Sequence, residues 1–285
     1  MSADNAPFLR HLRQCNTAVV PGERSPFTLG MHHAGWIDPV IAGRLEQEGL
    51  GSQDSGFTLT DPAALEALGE KLAKEGCYRS HHELFDVFTA PGLAPVARID
   101  RGALPLFGLL ASGVHMNGLV KKSDGLYLWT GRRASNKRLD PGKLDHLVAG
   151  GVPAGHAPFA ALIKEAAEEA DIQEQLAVQA KEVSRIVYSL DRPEGLRRDI
   201  LYCYDLLLPE SFVPVAADGE VESFHLYPIE EVFALVRDTD DFKFNVNLVL
   251  IDLFLRYGLI DPASDTGRIL RDGLAEGLSP ASPGK

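Results

Sequence analysis

Glu165, Glu168 and Glu169 stand at i, i+3 and i+4 within Pro158–Ala170, a run of small and apolar residues with helical spacing. On a helix this spacing puts the three carboxylates on one face, with Phe159, Ile163, Ala166 and Ala170 on the other. Three like charges on one turn repel unless something positive sits among them. A hard divalent cation with oxygen ligands, Mg²⁺ or Mn²⁺, answers that need. Just upstream, Gly150-Gly151-Val152-Pro153-Ala154-Gly155-His156 forms a glycine-rich turn. Its backbone can approach a ligand closely and offer N–H groups to phosphate oxygens, with Gly150 and Gly151 the candidates. Glutamates at helical spacing also make ordinary solvated faces. What sets this segment apart is the small-residue helix, the Gly-Gly loop and strand patterns on both sides.

Arg132, Arg133, Lys137, Arg138 and Lys143 are the densest basic stretch of an otherwise acidic chain. They precede the glutamate segment, where a phosphate-bearing ligand needs counter-charges, and Arg132, Arg133 and Lys137 are the candidates to hold it. Alternate strand residues face opposite ways, so part of this run is surface. Trp36, Trp129, Tyr127 and Tyr204 can stack on a heteroaromatic group or simply fill core. The pairs His32-His33 and His81-His82 suggest zinc, but adjacent strand residues point apart and no H-E-x-x-H follows, so structural or surface roles are expected.

The segment from Gly150 to Ile172 resembles the Nudix box, G-x5-E-x7-R-E-U-x-E-E-x-G-U with U aliphatic. Gly150 takes the first glycine, Glu165 the glutamate after the arginine, Glu168 and Glu169 the glutamate pair, and Ile172 the last aliphatic. His156 stands where the first glutamate is expected, Lys164 replaces the arginine, Ala166 fills an aliphatic position and Asp171 replaces the last glycine. Gly113–Gly118, Trp129–Arg133, Lys137 through Asp145 and Asp218–Glu222 are similar to a Nudix subgroup with an added N-terminal domain, which includes the Nudix part fused to thiamine pyrophosphokinase in fission yeast. The resemblance implies hydrolysis of a small organic diphosphate, with Glu165, Glu168 and Glu169 as metal ligands and Glu220 or Glu222 as the base outside the box. By subgroup, thiamine diphosphate or a damaged relative is the implied substrate. Two alternatives stay open. One is an isopentenyl-diphosphate-isomerase-like enzyme, for which Cys203 is the available cysteine; the other is a non-catalytic diphosphate-binding regulator.

The elements that must position these residues are legible in outline. Leu65, Leu68 and Leu72 recur at helical spacing between the N-cap Asp61-Pro62 and Gly76, and Trp36, Pro39, Ile41 and Leu45 suggest a shorter helix. Phe8 to about Ala90 thus reads as mostly helical, with a strand over Glu83–Thr89 and a connector from Pro91-Gly92 to Pro95. Strands are expected over Val114–Val120 and Leu126–Thr130 around the turn Ser123-Asp124-Gly125, then at Val183–Leu190, Ile200–Leu208 and Ser223–Leu226. Helices are expected over Ile229–Arg237 and Asn245–Tyr257. The implied architecture is α/β: a Nudix α/β/α sandwich with a mixed sheet over 109–262, preceded by a smaller α+β N-terminal domain over 1–108 and followed by a frayed tail over 263–285. The N-terminal domain would cover the substrate pocket or mediate a homodimer.

The 285 residues carry 28 Lys+Arg against 40 Asp+Glu, a net charge of −12, with 45% hydrophobic residues. That balance describes a chain able to bury a core, and it disfavours nucleic acid as partner, because phosphate-backbone affinity needs clustered Lys and Arg. Ala103–Val114 and Leu248–Leu255 are too short for the roughly 20 apolar residues of a membrane span, and Met1–Pro7 lacks the apolar core of a signal peptide. Cys15, Cys77 and Cys203, without a C-x-x-C pair, read as free buried thiols in a reducing cytoplasm. No G-x-G-x-x-G, P-loop or nucleophile-elbow serine is present, which disfavours dehydrogenase, ATPase and α/β-hydrolase chemistry.

Overall fold

Alternation along Val114, Met116 and Val120 commits one face of that stretch to an apolar layer and leaves His115, Asn117 and Leu119 to the other. The computed structural model is built around this strand and describes residues 6–90, 92–217 and 219–276. Pro91 of the expected connector, Asp218 and the last part of the expected tail lie outside the described residues.

The described residues open with a 3₁₀ turn (Ala6–Phe8) and helix α1 (Leu9–Cys15), followed by strands β1 (Ser25–Leu29) and β2 (His32–Ile37), helix α2 (Pro39–Gln47), strands β3 (Gly51–Ser52) and β4 (Gly56–Leu59), and helix α3 (Leu65–Lys74). A hairpin of β5 (Leu84–Val87) and β6 (Ala97–Asp100) follows. The first four strands form a sheet in the order β2-β1-β4-β3. This corrects the mostly helical reading: Trp36 belongs to β2, and strands this short show too few period-two repeats to stand out in sequence. The Asp61 carboxylate does accept the Ala63 N–H as an N-cap, although Pro62 opens a 3₁₀ turn before α3. Phe27, Ile41, Leu45, Leu65, Leu72, Phe85 and Phe107 share one core in this region.

A 3₁₀ segment, Arg101–Phe107, leads into β7 (Leu110–Lys122), β8 (Gly125–Arg133), β9 (Leu144–His146) and β10 (Val148–Gly151), then helices α4 (Pro158–Ala170) and α5 (Glu174–Ala177). Strands β11 (Lys181–Arg192), β12 (Gly195–Leu208) and β13 (Val221–Pro228) and helices α6 (Ile229–Asp238), α7 (Val246–Arg256) and α8 (Asp265–Ala275) complete the chain. The sheet runs β11-β12-β7-β8-β13, with β10 on β7 and β9 on β8. It is mixed, since β12 pairs with β7 in parallel while its other pairings are antiparallel. Val114 and Met116 pack with Leu162, Ala166 and Ala170 of α4. Leu119 and Cys203 pack on the opposite face with Phe8, Val232, Leu250, Phe254 and Leu270, so α6, α7 and α8 cover that side together with the N-terminal turn that opens α1. The result is the expected α/β sandwich behind a smaller N-terminal α+β region.

Two further expectations fail. Asp265–Ala275, read as part of a frayed tail, is a helix capped by Ser264, whose Oγ accepts the Gly267 N–H at 3.0 Å, and Leu270 and Leu274 are buried one turn apart. The thiols divide as well: Cys15 and Cys203 are buried, but Cys77 is exposed. No helix among the described residues is long and apolar enough to cross a membrane.

Candidate functional site

Helix α4 starts with Pro158 at its first turn and ends where Asp171 takes φ 52°, the left-handed conformation usually given to glycine, which is the residue the Nudix pattern has there. Its inner face is Ala161, Leu162, Ala166, Glu169 and Ala170 rather than the expected Phe159, Ile163, Ala166 and Ala170; Phe159 is exposed. The 100° step per residue explains the shift. Glu165, Glu168 and Glu169 do sit on adjacent rows, but the arc they span runs from solvent into the core. Glu168 is exposed, Glu165 is 18% exposed in its side chain, and Glu169 is buried.

Strand β10 receives the two inner carboxylates. Glu169 accepts the Ala149 N–H at 2.9 Å, and Glu165 lies over Gly150. A Cβ at position 150 would stand 2.5 Å from Glu165 Cδ and 2.7 Å from its Oε2, so only glycine admits the carboxylate here. Gly151 is closed on its side by the Phe85 ring, 2.5 Å from where a Cβ would be. Burial raises the proton affinity of Glu165; Lys164 opposes this, while Glu168, Glu220 and Glu83 reinforce it. Lys164 Nζ lies 2.5 Å from Glu168 and 3.8 Å from Glu165. It keeps the positive charge of the box arginine without the planar fork.

Glu220, just before β13, forms an ion pair with Lys137, and its carbonyl accepts the Ala134 N–H. Glu222 turns instead to the Ser135 N–H at 2.7 Å. Of the two, Glu220 is the one whose charge acts on Glu165. The expected phosphate-binding cations are largely committed elsewhere. Arg133 spends its guanidinium on Asp145 at 2.7 Å and on the Leu139 and Asp140 carbonyls. Arg132 donates to the Gly142 carbonyl at 2.7 Å, Arg138 pairs with Glu194 and Lys143 with Asp140. The carbonyls that tie Arg132 and Arg133 belong to the loop between β8 and β9, and no pattern in the sequence announces that fold-back.

The aromatic candidates also move. Trp129 and Tyr204 are buried, and Tyr127 donates its hydroxyl to Asp124. A cleft of about 360 Å³ opens instead between the β5–β6 connection, the first turn of α4, the start of β7 and the middle of β12. Phe88, Leu93, Tyr202, Asp86 and His156 are among its walls. His156, in the place of the first box glutamate, is exposed and lies 3.2 Å from the Ala154 carbonyl.

On the sheet face opposite α4, sequence reasoning missed a second polar cluster. His115 Nδ1 and His146 Nδ1 are 2.9 Å apart, and Asp145 joins them so that ligand atoms of all three lie within 4.8 Å of one another. Arg133 and Lys243 both face Asp145, at 2.7 and 3.4 Å. Burial alone would raise Asp145, but Lys243 first, then the His115, Arg133 and His146 charges outweigh it and hold its carboxyl well below the usual range. Two fixed cations on one carboxylate disfavour a divalent ion among these residues. They come from two strands, His115 from β7 and Asp145-His146 from β9, about thirty residues apart along the chain, which is why spacing could not reveal them.

The NUDIX domain pattern matches residues 113–247. Over 295 aligned residues the chain is 37% identical to Nudix hydrolase 24, chloroplastic, of Arabidopsis thaliana, covering 95% of this chain and 80% of that protein. It is 42% identical over 200 residues to Nudix hydrolase 20, chloroplastic, of the same plant, covering 70% of this chain and 53% of that protein. A solved structure from Deinococcus radiodurans aligns with a TM-score of 0.42 at 20% identity, over 67% of this chain and 98% of that one. With the box glutamates set around Gly150 on the sheet, and identity to the first plant protein extending through the N-terminal region, the chain belongs to the Nudix hydrolase family.

Proposed function

We propose that the protein hydrolyses a small organic diphosphate with the help of a divalent cation, Mg²⁺ or Mn²⁺, held by Glu165, Glu168 and Glu169. The observation that supports this most is the surplus of carboxylate charge at Glu165. Glu168, Glu220 and Glu83 act on a half-buried carboxylate that Gly150 alone makes room for, and Lys164 offsets only part of it. A hard cation fits such an oxygen donor set. When bound, the cation supplies charge neutralisation at the diphosphate and Lewis acidity. Lys164 holds Glu168 in place along the helix, and the buried bond from Ala149 fixes Glu169. Glu220, which exchanges Lys137 for a water molecule, takes the proton as water adds to phosphorus and the P–O bond breaks, leaving two phosphate-bearing or alcohol fragments.

Thiamine diphosphate or an oxidised relative is the substrate we favour within this class, on the resemblance of Gly113–Gly118 and Trp129–Arg133 to the Nudix subgroup named above. The isomerase alternative loses its residue: Cys203 is fully buried, and burial pushes its thiol well above the ordinary range, away from the thiolate. Phosphate release from a panel of diphosphates with Mg²⁺, repeated with Glu165→Gln and Glu168→Gln, tests the proposal. Tight diphosphate binding without turnover would favour a regulator, and turnover unaffected by both substitutions would sink the metal assignment.

A further inference from the structure

With Arg133 tied to loop carbonyls and Asp145 and Arg132 to the Gly142 carbonyl, the described residues beside the box loop offer further phosphate counter-charges from the N-terminal region. Hairpin β5–β6 is stitched to that loop. The Ala154 N–H donates to the Leu84 carbonyl at 2.8 Å, and the Gly155 N–H donates to Asp86 Oδ2 at 2.7 Å. The hairpin therefore carries two guanidinium groups to the box. Arg101 Nη1 lies 3.5 Å from the point where a Cβ on Gly151 would be, and Arg98 Nη2 lies 3.7 Å from the equivalent point on Gly155. Glu165 lies against Gly150, across β10 from the side on which Arg101 meets Gly151, and Glu83, the carboxylate that holds Arg101, is among the charges acting on Glu165. Both arginines are about half exposed, at 53% and 43% of the side chain, and each is held by one carboxylate: Arg98 by Asp86 at 3.0 Å and Arg101 by Glu83 at 3.0 Å. Arg101 also rests on the Phe85 ring, 5.4 Å from its centroid, which restricts its swing.

Taking the diphosphate hydrolase reading as its basis, we propose that Arg98 and Arg101 of the N-terminal hairpin bind the substrate's phosphate oxygens, and that the cleft between this hairpin and the Nudix sheet takes the organic half. Guanidinium groups suit this role because their planar fork matches two phosphate oxygens at once and stays charged at all working pH. The cleft begins at Asp86, the partner of Arg98, and continues over Phe88, Leu93 and Tyr202. It thus adjoins Arg98 through Asp86 and Gly155, and offers Phe88, Leu93 and Tyr202 to a heteroaromatic group. Hairpin β5–β6 and Arg101 are then part of the active site, and hydrolysis needs the N-terminal region for binding rather than for folding alone.

The test uses the full chain and two readouts. Affinity for methylenediphosphonate with Mg²⁺ is measured by calorimetry, and KM and kcat are measured on whichever panel diphosphate the wild type turns over. Arg101→Ala and Arg98→Ala should each weaken methylenediphosphonate at least tenfold and raise KM similarly, with a smaller change in kcat. Arg101→Lys, which keeps the charge and the Glu83 partner, should fall between, and Lys74→Ala, a cation on the outer surface of α3, should change neither value. If Arg101→Ala does not fold, Arg98→Ala and Arg101→Lys carry the comparison. Affinity within twofold of wild type in the folded arginine variants would overturn the proposal, as would a wild type that does not bind methylenediphosphonate. Arginine-dependent binding by a wild type that hydrolyses no diphosphate would support the subsite while refuting the hydrolase reading.

Discussion

Replacing Gly150 with alanine separates the position of a carboxylate from its presence. The added Cβ would meet Glu165 Cδ at 2.5 Å, Cγ at 2.6 Å and Oε2 at 2.7 Å. Carbon atoms rest about 3.5–4.0 Å apart, so the carboxylate must withdraw by roughly 1 Å. It can do so, because Glu165 keeps 18% of its side chain exposed and can swing outward from α4. The fold should therefore lose no more than about 1.5 kcal/mol, whereas a 1 Å displacement at a reacting centre costs about 100-fold in rate, or about 2.7 kcal/mol. The assay is Mg²⁺-dependent phosphate release, with urea unfolding as the stability control. Gly150→Ala combined with Glu165→Gln should be no slower than Glu165→Gln by itself, since both changes act on one group. A kcat within threefold of wild type, or a double variant whose losses multiply, would refute the placement of Glu165 at the reacting centre. Gly151→Ala makes the contrast: its Cβ would meet the Phe85 ring at 2.5 Å inside the N-terminal core, so stability should fall first.

Asp145→Asn removes the carboxylate that faces Arg133 and Lys243, each under 15% exposed, and should cost about 3–5 kcal/mol because two buried cations lose their partner; a urea-derived loss under 1 kcal/mol would contradict the network. His146 resists protonation in the folded state, its pKa lowered to about 4 by burial, while the unfolded chain titrates near 6.5. The unfolded state thus binds the extra proton between those values, and stability, full above pH 6.5, should drop as pH falls toward 4 by up to about 3 kcal/mol. Urea midpoints that stay level from pH 7 to pH 4.5 would count against it. Asp171→Gly relieves the left-handed backbone at φ 52° and should raise the melting temperature by about 1–2 °C, whereas a lower one would show that the aspartate side chain holds the turn.

The sequence by itself determined the parts whose causes are local. The helix Pro158–Ala170, the glycine loop before it and the three glutamates were legible because helical spacing and glycine chemistry act within a few residues. The long strands Leu110–Lys122 and Gly195–Leu208 were visible in part through alternation that their length repeats several times. Short strands such as Ser25–Leu29 were not, and neither was the closing helix Asp265–Ala275, whose two buried leucines gain their stability from packing in a core shared with Phe8.

Tertiary structure alone decided which charges are available. Arg133 and Arg101 are the same residue type, and nothing near them in sequence tells a buried structural guanidinium from one at the mouth of a site. Arg133 is enclosed because β9 brings Asp145 and the preceding loop brings two carbonyls to it. Arg101 stays half open because β6 ends beside Gly151, fifty residues further along the chain. The packing of α4 on β10 sends Glu169 into the core and leaves Glu168 in water, although the two are neighbours. Burial and Coulomb fields depend on distance through space, and a sequence records only distance along the chain.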